Sequence, residues 1–221
     1  MKRISIMLCL IILTLGLKAG VILGYQAGCY TRGIANIQST TYYYNKVFDA
    51  NFKYRNMFHG IYLGYRFDMD NGWFSLAWHN KHNSYSSEYI DKGVTKQFGI
   101  KHRMNDLVFD VGYRGKKFGI GGGFDMANYN VFTKRGTPSE YKSAKWGYND
   151  YGMPIKLMGL PTFPSFSIEG ECYLGKIAIL RATYQFGIGE LTFANDGSLM
   201  FWDFYGNNLT FSLLFNFSSN K

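Results

Sequence analysis

Proline is scarce, and its four copies, Pro138, Pro154, Pro161 and Pro164, all fall between positions 138 and 164. Proline removes a backbone donor and breaks a β-ladder, so the rest of the chain is free to pair as strands. Cysteine is scarcer still: Cys9 sits in the N-terminal apolar run, leaving Cys29 and Cys172. Both fall on apolar faces of strands far apart in order, which excludes a bridge between them, even in an oxidising compartment. Beyond the N-terminal run, no apolar stretch is long enough for a membrane helix. No stretch has the form of a nucleic-acid-binding module. Of the four histidines, His79 and His82 are close in sequence but three apart on a strand. They therefore point to opposite faces and make a poor metal pair.

The N-terminus carries Lys2-Arg3, an apolar run over 4–17, then Lys18-Ala19 before Gly20. A basic start, an apolar stretch too short to span and a small residue at its end describe a secretory signal over 1–19. Residues 20–221 are then one domain, since about 200 residues suit one barrel or one sandwich and not two domains. Removing Lys2, Arg3 and Lys18 lowers the formal net charge of +9 by three. Much of the remaining excess, including Lys92, Lys96, Lys134, Arg135, Lys142 and Lys145, sits in stretches expected to be loops. Such a basic rim suits the phosphates of lipopolysaccharide, but scattered lysines on solvated loops are the commoner explanation.

The most informative stretch is 165–188, in which Gly175-Lys176 turns one alternating run into another. Phe166, Ile168, Gly170, Cys172 and Leu174 share a face, as do Ala178, Leu180, Ala182, Tyr184, Phe186 and Ile188. The opposite faces carry Ser165, Ser167, Glu169, Glu171 and Tyr173, then Ile177, Ile179, Arg181, Thr183 and Gln185. Period two means strand. Glu169, Glu171 and Arg181 could pair across strands among small Ser and Thr neighbours, so the polar face reads as enclosed. The apolar faces run about ten residues, the length of a tilted membrane-crossing strand. A β-sandwich is the competing reading.

The same alternation recurs over 21–30, 58–68, 73–84, 107–114, 118–129 and 209–217. Gly119, Gly121 and Gly123 fall on the inner face, where interior glycine signals close approach of a long side chain. The connections alternate, long over 32–56, 85–104, 131–163 and 190–205, short over 69–72, 115–117 and 175–176. A sandwich has no reason for that parity, whereas a membrane barrel has short turns at one end and long loops at the other. The fold class is therefore all-β: an eight-stranded antiparallel transmembrane β-barrel, with short periplasmic turns and four long extracellular loops. Residues 95–104 leave a ten-strand count open. The signal, the eight strands, the connection parity and the aromatic closing strand with Phe215 and Phe217 resemble the small OmpA/OmpX-type outer-membrane barrels of Gram-negative bacteria. Ser218-Ser219-Asn220-Lys221 follow where many members stop at the aromatic. The resemblance implies an outer-membrane location with both termini periplasmic.

Arg66, Asp110, Arg114, Asp125, Glu169, Glu171 and Arg181 would face the lumen, where charges of opposite sign pair and plug it. No catalytic residue, cofactor or metal site is expected. A non-enzymatic role through loops or lipid-facing surface follows, as an interaction or envelope-stabilising protein or a subunit of a larger outer-membrane complex. A protein partner would dock through residues 131–163, which include the apolar stretch 153–160; Tyr42-Tyr43-Tyr44 offers a second sticky surface. Two rival functions remain. His82 and Ser84 share the lipid face and are similar to the catalytic pair of lipid A deacylases, though Tyr85 stands where those enzymes have asparagine. The other rival is a small-solute channel. N-terminal sequencing of the protein secreted by its native host is expected to begin at Gly20; a chain that retains Met1 would remove the signal.

Overall fold

The computed structural model describes residues 18–31, 35–53, 55–149, 156–157, 160–161, 163–187, 191–193, 199–201 and 207–218. The elements in chain order are β1 (Lys18–Tyr30), α1 (Ala35–Phe48), β2 (Met57–Met69), β3 (Gly72–Asp91), β4 (Val94–Arg114), β5 (Phe118–Gly136) and α2 (Pro138–Ser143). They are followed by β6 (Gly147–Asn149), β7 (Lys156–Leu157), β8 (Leu160–Pro161), β9 (Phe163–Leu174), β10 (Ala178–Gly187), β11 (Leu191–Phe193), β12 (Leu199–Phe201) and β13 (Asn208–Ser218). Eight of these pair in the order β4-β3-β2-β1-β13-β10-β9-β5, and β5 pairs back onto β4. Closure leaves no open edge around the ring, so every strand finds hydrogen-bond partners on both sides, as hydrocarbon requires. The short β6 pairs with β5 beyond the point where β9 leaves it. Of the expected signal, 1–17 lies outside the described residues, while Lys18 and Ala19 pair with Asp68 and Phe67 of β2.

Alternation decides which side chain meets which surroundings. Val21, Leu23 and Tyr25 of β1, Leu107, Phe109 and Val111 of β4, and Phe211, Leu213 and Phe215 of β13 all point outward and are exposed. Their neighbours Ile22, Gln26, Arg66, Asp110, Glu171 and Arg181 point inward and are buried. An apolar exterior around a charged interior reverses the polarity of a water-soluble sandwich, and it makes this a transmembrane β-barrel. Cys29 and Cys172 both lie on the outer face, on β1 and β9, with β13 and β10 between them.

Residues 85–104 are not the loop expected from the sequence. β3 and β4 stay paired from Gly72↔Tyr113 to Asp91↔Val94. A two-residue turn joins them at Lys92 and Gly93, with φ of 51° and 78°. Positive φ at both centres gives the primed turn whose twist matches a hairpin. Residues 95–104 therefore lengthen β4, and the ring has eight strands. The apparent break of phase has a physical cause. Within the belt the outward parity is apolar, but beyond it water surrounds the hairpin, and the inward parity becomes apolar instead, with Tyr89, Phe98 and Ile100 buried.

These inward residues build a second core at the loop end from Tyr30, Phe52, Phe58, Tyr89, Phe98, Ile100, Met104 and Ala127. The connection 32–56 contributes α1, which was also expected as loop. Its Tyr44 stacks on Phe98 with ring centroids 3.8 Å apart, and Phe48 meets Tyr89 at 4.8 Å. Positions 44 and 48 are one helical turn apart, so one stripe docks both rings. Thr, Tyr and Asn are weak helix formers, which is why the sequence reads as loop; docking, not propensity, stabilises α1. Asp49 leaves the helix at a φ of 46°, and the Asn45 amide clamps the Phe52 backbone at 2.7 and 3.1 Å. Within 131–163, α2 begins with a capping box in which Thr137 and Glu140 satisfy each other's backbone donors. Most of 153–160 lies outside the described residues; Lys156–Leu157 and Leu160–Pro161 form a two-residue ladder.

The inner-face glycines do admit a large side chain. A Cβ on Gly121 would stand 2.9 Å from Cζ2 of buried Trp73, and one on Gly112 would stand 2.6 Å from the same ring. Gly121→Ala is expected to lower stability by about 1–3 kcal/mol through overpacking, read as an earlier urea midpoint. Gly170→Ala is the control, because that glycine faces outward with open space around it, and it should leave the midpoint unchanged.

Candidate functional site: lumen, loop-end cleft and outer rim

The lumen is layered. Nearest the short turns, Arg66 forks Glu171 at 2.7 and 3.0 Å and reaches Asp68 at 2.9 Å. Asp68 also pairs with Arg114 at 3.2 Å and accepts from the Asn216 amide at 2.9 Å. Arg181 is the hub. Its guanidinium lies 2.7 Å from Glu171, 3.0 Å from Asp110 and 3.0 Å from Glu169, and it donates to the Tyr62 hydroxyl at 3.2 Å. Trp73 packs against both arginines, 4.4 Å from Arg66 and 5.0 Å from Arg181. Charge-assisted forks of this kind hold buried charge that would otherwise be costly.

The next layer is held by Lys81, which pairs with Asp106 at 3.0 Å and donates to the Gln185 amide oxygen at 2.9 Å. Gln185 in turn donates to Ser165 at 2.6 Å and accepts from Asn208 at 2.7 Å. Above it lies the aromatic core, with Lys81 5.5 Å from the Phe58 ring. A cavity of about 10 Å³ remains between Tyr62, His79, Asp125, Ser167 and Glu169, room for about one water. The chemistry of this interior is pairing and sealing.

All seven charged residues expected in the lumen point into it, with Arg114 at its mouth. Lys81, Asp106 and Trp73 were missed, whereas Tyr62 shares the inward parity of Arg66. Lys81 shares parity with Ser75 inside the expected strand 73–84, and Asp106 shares parity with Asp110 one residue before the expected strand 107–114, so strict alternation carried through both strands finds them.

On the outer wall, strand pairing orders side chains into rows. Apolar rows Tyr65–Leu76–Phe109 and Leu63–Trp78–Leu107 give way to Ile61–Asn80–Asn105, then to His59–His82–Arg103, with Ser84 opposite Lys101 beyond. Asn80 donates to Asn105 at 2.8 Å, and the His59 and His82 rings meet at 4.1 Å. The Asn row therefore marks the edge of the apolar belt. His82 and Ser84 share the outer face as expected, and His79 points inward. Among the described residues no hydrogen bond joins His82 to Ser84. Their paired neighbours are His59, Arg103 and Lys101, so no carboxylate is placed to orient the imidazole as a base.

At the loop end, a cleft of about 570 Å³ opens between Tyr44, Val47 and Phe48 of α1 and the segment carrying Thr133, Lys134, Arg135 and Lys145. Lys134 is fixed there by the Tyr141 carbonyl at 2.9 Å and by the Tyr141 ring at 4.1 Å. Tyr42, by contrast, points to solvent.

A closed barrel, apolar outside and ion-paired inside, defines a transmembrane β-barrel protein with a plugged lumen, the architecture of the small OmpA/OmpX-type barrels. Among solved structures it is similar to Ail, the attachment invasion locus protein of Yersinia pestis. In complex with the heparin analogue sucrose octasulfate, Ail matches at 7% identity and TM-score 0.46, over 90% of this chain and 95% of that one. Ail without that ligand gives 6% identity and TM-score 0.46, over 90% and 94%. The N-terminal β-barrel domain of Pseudomonas aeruginosa OprF gives 13% identity and TM-score 0.41, over 90% and 98%. No protein-family model and no curated protein matches the chain.

Arg181→Met leaves buried Asp110 and Glu169 without their cation and Glu171 with Arg66 alone, so it is expected to cost about 3–5 kcal/mol, measured by urea unfolding in detergent. Arg114→Met, at the half-open mouth, is expected to cost less than about 1 kcal/mol. Equal costs would mean that Arg181 is not the hub.

Proposed function

We propose that the protein is an integral outer-membrane barrel of a Gram-negative envelope that acts without catalysis, as an interaction and envelope-stabilising protein. The observation that carries this reading is the exchange of faces at the Asn80–Asn105 row. Below it apolar side chains point outward, as lipid demands; above it they point inward, around an aqueous-phase core. The sealed lumen disfavours a channel, and the cationic setting of His82 disfavours a hydrolase. Residues 1–19 serve as the secretory signal, both termini lie on the periplasmic side, and the long connections face outward. The loop-end cleft favours a partner that docks through residues 131–163, since Thr133, Lys134, Arg135 and Lys145 form one wall of it. A rigid barrel presenting such a surface suits a subunit of a larger outer-membrane assembly.

Purification in mild detergent from native membranes, through a C-terminal tag, is expected to recover the protein from the outer-membrane fraction with another outer-membrane protein at fixed ratio. Arg135→Glu together with Lys145→Glu should weaken that association while the barrel stays folded. A chain that is recovered alone has no such partner, and one absent from the outer membrane is not this kind of protein. Ser84→Ala is expected to leave lipid A acylation unchanged, and a change in the acyl pattern would restore the hydrolase.

A further inference from the structure

We propose that the outward row His59, His82 and Arg103, with Lys101 beside it on β4, is a binding site for the phosphate monoesters of an outer-leaflet glycolipid. The inference rests on the membrane-spanning reading above and assigns a ligand to one place on its lipid face. Height comes first. His82 lies four residues beyond Trp78, about 13 Å along a strand and about 10 Å along the membrane normal at the usual tilt. Arg and Lys stems are long enough to lean back toward the belt, which brings their charges to headgroup level.

Charge comes second. The outward residues around the site are Met57, His59 and Ile61 on β2, Asn80, His82 and Ser84 on β3, Lys101, Arg103 and Asn105 on β4, and Asn130 and Phe132 on β5. None is a carboxylate. Inside the barrel the cations Arg66, Lys81 and Arg181 each sit against an acid within 3.0 Å. On the wall, Lys101 and Arg103 form no ion pair among the described residues. Among the described residues these two fixed cations lack a counter-charge, and two imidazoles stand beside them.

The imidazole of His82 reports the same field. Burial, then the positive charges of His59, Lys101 and Arg103, push it below its ordinary range. A bound anion opposes the last three of those causes, so binding must raise the His82 pKa, and by linkage acid must tighten binding. The groups that face His82 are His59 from β2 and Lys101 and Arg103 from β4; its own strand contributes only neutral Asn80 and Ser84.

The number of cations favours a monoester over other lipid phosphates. A phosphate monoester carries more than one negative charge near neutral pH and offers several acceptor oxygens to an Arg fork. A phosphodiester headgroup carries one negative charge. The His82 and Ser84 pair then belongs to a site that holds a lipid and does not cut it.

The test uses the full mature chain, folded into nanodiscs of phosphatidylcholine alone, with phosphatidylglycerol, or with diphosphorylated lipid A. Imidazole NMR should show the His82 pKa rising in lipid A discs and not in the other two. Native mass spectrometry should show bound lipid A retained by the wild type and reduced about ten-fold by Lys101→Gln with Arg103→Gln, a change of about 1.4 kcal/mol. Heat-modifiability on gels verifies that each variant is folded, and Lys116→Gln with Lys117→Gln, at the short-turn end, is the charge-matched control. Equal retention by wild type and variant, or an equal pKa rise with phosphatidylglycerol, overturns the site while leaving the barrel standing. A chain that does not enter discs at all overturns the membrane-spanning reading and this site with it.

Discussion

Arg181 holds three carboxylates and a phenol in the middle of a barrel that has no bulk water to help it. Its partners come from β2, β4 and β9, so one side chain ties four walls of the ring together. The interaction matters because lipid can supply no driving force for the interior. In a soluble protein the apolar face collapses away from water; here the apolar face must stay outside, and only polar pairing and close packing can fill the inside. The inner glycines follow from the same constraint. Gly112 and Gly121 leave space for Trp73, and Trp73 covers the flat faces of Arg66 and Arg181.

The other end of the molecule obeys the opposite rule. Once β3 and β4 rise past Asn80 and Asn105, water surrounds them, and the inward parity turns from Asp110 and Asp106 to Met104, Ile100 and Phe98. One strand thus carries two folding regimes in series, with unbroken alternation and an exchange of which face is apolar. His102 marks the crossover. It is buried beside Tyr30, with ring centroids 5.4 Å apart, just past the change from Asp106 to Met104 and among the first residues of the aromatic core.

Much of this was legible in the sequence, because period two survives both regimes. The two strands of the 165–187 hairpin, the inner glycines and the seven lumen charges follow from parity alone, although the turn takes three residues and puts Ile177, expected inside, at the exposed tip. Residues 85–104 defeated the reading because apolarity was followed as the marker of one face, and at that height it changes face. Lys92-Gly93, with positive φ at both centres, is the local signal that identifies the hairpin. α1 was illegible for a different reason: the run of Thr, Tyr and Asn in ANIQSTTYYYNKVF outweighs its few good helix formers, and Tyr44 and Phe48 meet Phe98 of β4 and Tyr89 of β3, far away in sequence. Trp73 was left unassigned since its parity places a large apolar group among charges, which makes sense only once the two guanidinium planes are seen beside it.

The two regimes also divide the molecule's working surfaces. In the lumen Arg66, Lys81 and Arg181 each have an acid, and polar atoms that lack a hydrogen bond among the described residues, both His79 nitrogens and Asp125 Oδ1 included, line a space of about 10 Å³, too small for a ligand larger than a water. The aromatic core above it is likewise closed by α1. What remains unspent lies outside these two fillings, in the charge of Lys101 and Arg103 on the wall, which has no ion pair among the described residues, and in the basic cleft beneath α1. Both sit on the water-side half of the barrel, where β3, β4 and β5 run longest. Long strands there have no role in crossing the bilayer. They lift α1, α2 and β6 clear of the membrane and hold them on a packed base, and that rigidity is what a docking surface requires.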